Sequence, residues 1–293
     1  MLPVAASEGS RAAGPGADPG GDQLSSRTGT GSARRTGPGP STVTLMGVTI
    51  HNVSQSEVVS HILGEASQGR GGCMITPNVD ILRLVTADPE LAALVRAADL
   101  VVADGMPVMW AARLQGTPLC ERVPASEAIH PLCAAAAQAG VGVFLLGAPP
   151  GVAERAAAVL AGQYAGLEIG HLCPPMGFEK DDTIVRGIHE ALRRASPGIV
   201  FCGFGFPKQE RLMKSLHELF PGTWFIGSGG TFSMVAGDTP KAPVWMRRAG
   251  LEWAHRLRLE PARLFERYIV HDLPFAFRLL LASAANRLRG RSA

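Results

Sequence analysis

The chain has 293 residues, a mean hydropathy slightly above zero and a net charge of +3, which suits one large domain or a domain with an appendage. Few aromatics and many Ala, Leu, Val and Gly fit an α/β core. Its five cysteines, Cys73, Cys120, Cys133, Cys173 and Cys202, are odd in number, form no CxxC pair and fall mostly in apolar runs, which excludes a disulfide framework or a zinc site and reads as reduced core residues of a cytosolic protein.

Residues 1–41 differ from everything after them: about a third are Gly or Pro, and apolar residues beyond Ala are too sparse to build a core, so this tail is expected to be disordered. Its opening, MLPVAASEGSRAAG, never builds the apolar run of a signal peptide, and no later window offers about 18 uninterrupted apolar residues, so no membrane span is expected. From residue 42 the chain alternates. Apolar runs at 71–76, 100–104, 141–147, 167–172, 199–205 and 223–230 read as buried strands, with helical stretches between them. Ser54 and Glu57 form a capping box, Pro89 starts a helix, Gly140 ends an alanine-rich helix over 127–139, and the stretch from Asp181 to Ala195 opens with acids and closes with arginines, as a helix dipole prefers. Strands alternating with helices of ten or more residues predict a mostly parallel, doubly wound sheet, which binds ligands beyond the carboxyl ends of its strands.

The chemistry is therefore sought at those ends. After the first core strand come Thr76, Pro77, Asn78 and Asp80; Thr76 and Asn78 offer a hydroxyl and an amide suited to sugar hydroxyls or an acetamido group, and Asn78 has equally the place of a helix cap. Asp104 ends the second strand. A partly desolvated carboxylate there has a raised pKa and, beside Gly105, room for a substrate hydroxyl, which makes it a candidate general base; the same position also suits an Asp that caps the helix starting near Met106. Arg122 follows an apolar segment, where it is placed either to clamp a phosphate or simply to meet solvent.

The run GFGFPKQE over 203–210 carries a strand through Gly203, Gly205 and Pro207 into a helix whose first turn holds Lys208 and Gln209. Glycines admit close approach of an anion, and the first-turn N–H groups carry partial positive charge, so a nucleotide diphosphate is a candidate ligand here; an ordinary strand-to-helix turn has the same signature. A dinucleotide fingerprint requires glycine where Lys208 stands. Gly229, after the sixth strand, belongs to the same candidate substrate-binding rim.

The last fifty residues are basic: from Trp245 onward ten arginines stand against Glu252, Glu260, Glu266 and Asp272, a net of +6, so the preceding 244 residues net −3. Arginines interleaved with Leu, Trp, Phe and Tyr, in helical pieces expected to break at Pro261 and Pro274, have the composition of a helix lying in an anionic membrane interface, although a solvated amphipathic helix shares it. No nucleic-acid fold motif is present.

TPNVD (76–80), ADG (103–105), ERV (121–123), FLLGAPPGVAERAA (144–157), GFPKQE (205–210), KAPVW (241–245) and LEWAHRLRLEPARLFERY (251–268) together, in order and spacing from about 43 to 275, resemble the WecG/TagA/CpsF family of bacterial glycosyltransferases, glycosyltransferase family 26. The resemblance implies a Rossmann-like α/β domain of the GT-E type over about 42–244, a helical membrane-associating appendage over 245–293, and residence in the cytoplasm at the inner face of the bacterial cell membrane. It implies an inverting, metal-independent transfer of a sugar, N-acetylmannosamine or a related one, from a UDP-sugar to a polyprenyl-diphosphate-linked acceptor in cell-surface polysaccharide synthesis. No cofactor is expected, the UDP-sugar being a co-substrate; homo-oligomerisation is left open. Carried over, Asp104 is the base, Thr76 and Asn78 lie near the reacting centre, Arg122 and Gln209 contact the nucleotide-sugar, and Arg256 and Arg263, with Arg267, meet the diphosphates. Ala125, Ser126 and Glu127 depart from the family pattern after the RV pair, as do Met106 and Pro107 after DG, and Lys241 stands where the family prefers Arg; these leave the sugar open, glucose or glucuronic acid included. A nucleotide-binding regulatory or oxidoreductase Rossmann protein is the reading from another class.

Overall fold

The computed structural model describes residues 41–290; the tail expected to be disordered lies outside them, apart from Ser41. The first element is an antiparallel hairpin outside the six expected strands. Strand β1 (Thr42–Leu45) pairs with β2 (Val48–His51) around Met46 and Gly47, both at positive φ. Its signal was present as a period of two, since Val43, Leu45, Val48 and Ile50 are buried and the threonines between them face outward.

The expected parallel sheet follows. Strands β3 (Gly72–Ile75), β4 (Leu100–Val101), β5 (Val143–Gly147), β6 (Ile169–Leu172), β7 (Ile199–Gly203) and β8 (Trp224–Gly227) lie in the order β4-β3-β8-β7-β5-β6, every pair parallel. All six carboxyl ends therefore share one edge. The central strands are apolar throughout because both faces are covered: Val200 and Cys202 of β7 join Ile75 and Phe225 on one side, while Ile199 and Phe201 join Met74 and Trp224 on the other, beneath the Ala125–Ala139 helix. Helix ends follow the sequence signals. Ser54 and Glu57 close their capping box, Asp181 caps the Asp182–Ala195 helix, and Gly140 ends the Ala125–Ala139 helix in the left-handed conformation.

Beyond β8 the chain turns into short helices, Val244–Arg248 and Glu252–Leu259, and then into a long helical run. That run starts at Pro261, as expected, but Pro274 does not break it. The turns over Glu266–Asp272 are π-helical, the Leu273 N–H reaching the Tyr268 carbonyl five residues back, and this widening takes the proline into the continuing Leu273–Gly290 helix. The run over Pro261–Arg289 is also long and apolar enough, by length and composition alone, to cross a membrane, against the expectation of no span; scattered arginines keep it from being an uninterrupted apolar window. It is two-faced. Asp272, Phe275, Leu279 and Ser283 are buried against the body of the protein, Phe275 and Leu279 within its hydrophobic core, while Val270, Leu273, Phe277, Leu281 and Leu288 are exposed. Its principal neighbour is the Met106–Gln115 helix.

Candidate active site

Asp104 is positioned by backbone. Strand β4 ends at Val101, but its neighbour continues to guide the chain: Val102 N–H donates to the Ile75 carbonyl and Asp104 N–H to the Pro77 carbonyl, each at 3.0 Å. Gly105, at φ +90°, then turns the chain into the Met106–Gln115 helix, and no side chain caps that helix. Capping is thus not what Asp104 does. Its carboxyl group opens instead into a cavity of about 190 Å³ whose far wall is the C-terminal helices.

Asn78 lies at the same rim and combines the two roles considered for it: its Oδ1 accepts from the Ile81 N–H at 3.1 Å, capping the Val79–Ala87 helix, while the residue lines the cavity. Arg122 arrives from the loop before the Ala125–Ala139 helix. Its Nη2 donates to Glu127 Oε1 at 2.7 Å, and its Nη1 lies 3.5 Å from Glu252 Oε2 and 3.9 Å from Asp104 Oδ1. From the C-terminal side, Arg247 Nη1 donates to the same Glu127 oxygen at 2.9 Å, and Arg256 Nη2 donates to Glu252 Oε1 at 3.3 Å. Arg267 reaches Asp80 at 2.9 Å and Asp272 at 3.6 Å, and Arg83 bridges the same two carboxylates from the core. The cavity is therefore walled by four arginines held in place by acids.

Burial is the main influence on two of the acids that face it, Asp104 and Asp272. It raises the Asp104 pKa to about 6, with Arg122 opposing and Glu252 adding to the rise. Asp272 is likewise raised to about 6 by burial and by the neighbouring Asp80 carboxylate. A carboxylate of this kind is ionised at neutral pH and basic enough to accept a hydroxyl proton, and the arginines supply positive charge for a phosphate leaving group.

Several residues expected at the site lie elsewhere. Thr76 directly follows β3 but is not among the cavity's lining residues. Arg263 turns outward to pair with Glu260 at the surface. Gly203, Gly205, Pro207, Lys208, Gln209 and Gly229 are also off the cavity wall. Lys208 and Gln209 do open a helix, Lys208–Leu219, but Lys208 pairs with Glu179 at 2.8 Å and lies over the Phe178 ring. Gln209 is buried, and its Oε1 accepts from the N–H groups of both Gly205 and Gly229 at 3.1 Å, so it staples the β7 loop to the β8 loop and occupies two amides that an anion would need. Glu210 in turn accepts from the Gln209 amide at 2.8 Å.

Residues the sequence reading did not assign are Asp80, Glu127, Arg247, Glu252, Trp253 and Tyr268, all of them at the cavity or paired to its arginines. Glu252 and Trp253 stand inside the LEW motif, so a signal existed; Glu127 was visible only as a departure from the family pattern. Among the described residues no group of three or more His, Cys, Asp or Glu side chains could hold a metal ion.

Residues 43–289 match the model of the Glycosyl transferase WecG/TagA/CpsF family. The chain is similar to the N-acetylglucosaminyldiphosphoundecaprenol N-acetyl-beta-D-mannosaminyltransferase of Bacillus subtilis (strain 168), with 29% identity over 221 residues that cover 73% of this chain and 84% of the relative. Proteins of the same name from Bacillus spizizenii and Staphylococcus aureus (strain NCTC 8325 / PS 47) are each 30% identical, over 67% of this chain and 74% of the relative in the first case and 76% and 86% in the second.

Proposed function

The chain belongs to the WecG/TagA/CpsF glycosyltransferase family, and on that premise we propose that it transfers an N-acetylmannosamine-type sugar from a UDP-sugar to a polyprenyl-diphosphate-linked acceptor, with inversion and without a metal ion. The names of the relatives support this sugar and this class of acceptor. The observation that carries the reading is the cavity over Asp104, a carboxylate with raised pKa facing a wall of arginines.

In this reading the acceptor hydroxyl attacks the anomeric carbon from the face opposite the nucleotide. The new C–O bond forms as the bond from the anomeric carbon to the phosphate oxygen breaks, the hydroxyl proton passes to Asp104, and the electron pair leaves with UDP. Arg122, Arg256 and Arg267 meet the diphosphate charge, which requires them to loosen from Glu252, Asp80 and Asp272 as the phosphates arrive. Asn78 is placed to meet a sugar substituent at the same rim.

The exposed apolar stripe of the C-terminal helix, with Phe277, Leu281 and Leu288 more than 60% exposed, supports docking on the surface of a membrane that holds the acceptor. The arginines along that helix favour an anionic lipid surface such as the cytoplasmic face of a bacterial cell membrane.

The test is turnover by the purified chain with a synthetic lipid-diphosphate N-acetylglucosamine acceptor and UDP-N-acetylmannosamine, beside UDP-glucose and UDP-glucuronic acid, because Met106 and Pro107 line the cavity where the family pattern differs. Product of inverted configuration with the first donor, undiminished in EDTA, is expected. Transfer from UDP-glucose or UDP-glucuronate alone would reassign the donor, and loss of turnover in EDTA restored by Mg²⁺ or Mn²⁺ would overturn the metal-free mechanism.

A further inference from the structure

We propose that Glu252, carried to the cavity by the C-terminal helices, is a positioning residue that holds the Arg122 guanidinium off Asp104 and so leaves the Asp104 carboxylate free to take a proton. The proposal rests on the reading of Asp104 as the base. An arginine beside an aspartate ordinarily closes onto it in hydrogen bonds of about 2.7–2.9 Å, which stabilises the ionised carboxylate and weakens it as a base. Here the guanidinium sits 3.9 Å from Asp104. Its other contacts explain the distance: Glu127 takes Nη2 at 2.7 Å, and Glu252 draws Nη1 at 3.5 Å. Glu252 is itself steadied by Arg256, which donates to its second oxygen at 3.3 Å.

The charged groups that act on Asp104 come from two sides, Arg122 and Glu127 from the core and Glu252 and Arg256 from the C-terminal helices. Burial is the largest influence; among the charges the two acids push the Asp104 pKa upward and the two arginines pull it down. Glu252 lies on the Glu252–Leu259 helix, so its influence depends on that helix being seated. Closing the cavity and setting the base are then one event. With the helix away, Arg122 is shared by Asp104 and Glu127 alone.

The experiment compares the parent with Glu252→Gln and Glu252→Asp in full-length protein, measuring kcat and donor KM across pH and following the Asp104 carboxyl by ¹³C NMR, with its signal assigned by its loss in Asp104→Asn. Glu252→Gln is expected to let Arg122 close on Asp104. The acid limb of the kcat profile and the Asp104 titration then move together to lower pH, kcat falls on the order of tenfold, and donor KM does not rise because Arg256 has been released from its acid. Glu252→Asp should fall between Gln and parent. The NMR titration reads the same effect if Glu252→Gln turns over too slowly to profile, and Glu252→Asp serves if the glutamine variant fails to fold. A lower kcat with both titrations unmoved would overturn the proposal and leave Glu252 a structural tie. Parent-like turnover in Asp104→Asn would instead overturn the base assignment, which separates the two failures.

Discussion

Arg247 of the C-terminal region reaches Glu127 of the core at 2.9 Å, on the very oxygen that also receives Arg122. One carboxylate thus ties a cavity arginine to the segment that closes the cavity. Both side chains of the Arg247–Glu127 pair are about 30% exposed, so the tie is worth on the order of 1 kcal/mol and not more. In the proposed mechanism a bond of that size suits a closure that opens for substrate, and the apolar burial of Phe275 and Leu279 supplies the larger share of the docking energy, roughly 1.5–3 kcal/mol for each side chain.

Replacing Asp104 by Asn keeps the size of the side chain and removes its basicity. Turnover is expected to fall about 10²- to 10⁴-fold while UDP-sugar binding, followed by calorimetry, changes little. Transfer at the parent rate would mean that another group takes the proton.

Activity should titrate with Asp104. The carboxyl must be ionised to act as base, so kcat is expected to fall as pH drops through about 6. The sign for stability is the opposite. A folded-state pKa above the unfolded one means the folded chain holds this proton more tightly, so the Asp104 contribution to stability is fully present below the ordinary carboxylate range and is lost as pH rises through about 6. Asp104→Asn should therefore gain stability relative to the parent above pH 6, measured by denaturant midpoint. An acid limb that stays in place when Asp104 is changed, in a variant that retains turnover, would assign it to another group.

Gly250 packs the C-terminal region against the Met106–Gln115 helix. Its φ of +73° is unfavourable for any other residue, and an added Cβ would come within 2.8 Å of both Met106 Cβ and the Trp110 ring. Gly250→Ala is expected to loosen the closing helices at a cost of about 1–3 kcal/mol, seen as faster proteolysis beyond residue 240 and a higher donor KM. Unchanged proteolysis would show that this contact does not hold the closure.

The exposed stripe of the last helix should determine membrane binding. Phe277→Glu with Leu281→Glu changes two side chains that contribute nothing to the buried core, so folding and UDP binding should persist. Losing two apolar insertions of roughly 1.5–3 kcal/mol each is expected to lower co-sedimentation with phosphatidylglycerol vesicles at least tenfold. Equal binding by variant and parent would move the contact to another surface, such as the exposed Val244 and Trp245.

Features whose cause is local were legible along the chain. Runs such as FLLG and IVFCG name strands buried on both faces, Ser54 with Glu57 and Gly140 mark helix ends, and the carboxylate at the end of the second strand points to Asp104, because each depends on neighbours within a few residues. The ordered motifs were enough to identify the family. Other matters were decided only when the chain closed on itself. Whether Asp104 caps a helix or faces a cavity depends on the turn that Gly105 makes and on the Pro77 carbonyl that receives its N–H. Gln209, legible as a first-turn residue of a phosphate-like loop, is spent on Gly205 and Gly229, since the sheet order sets β7 beside β8. The pairing of Arg122 with Glu252 and of Glu127 with Arg247 joins residues more than a hundred positions apart. No periodicity encodes such pairs: they arise where the last helices fold back over the carboxyl edge of the sheet, and their strength is set by the burial they share there.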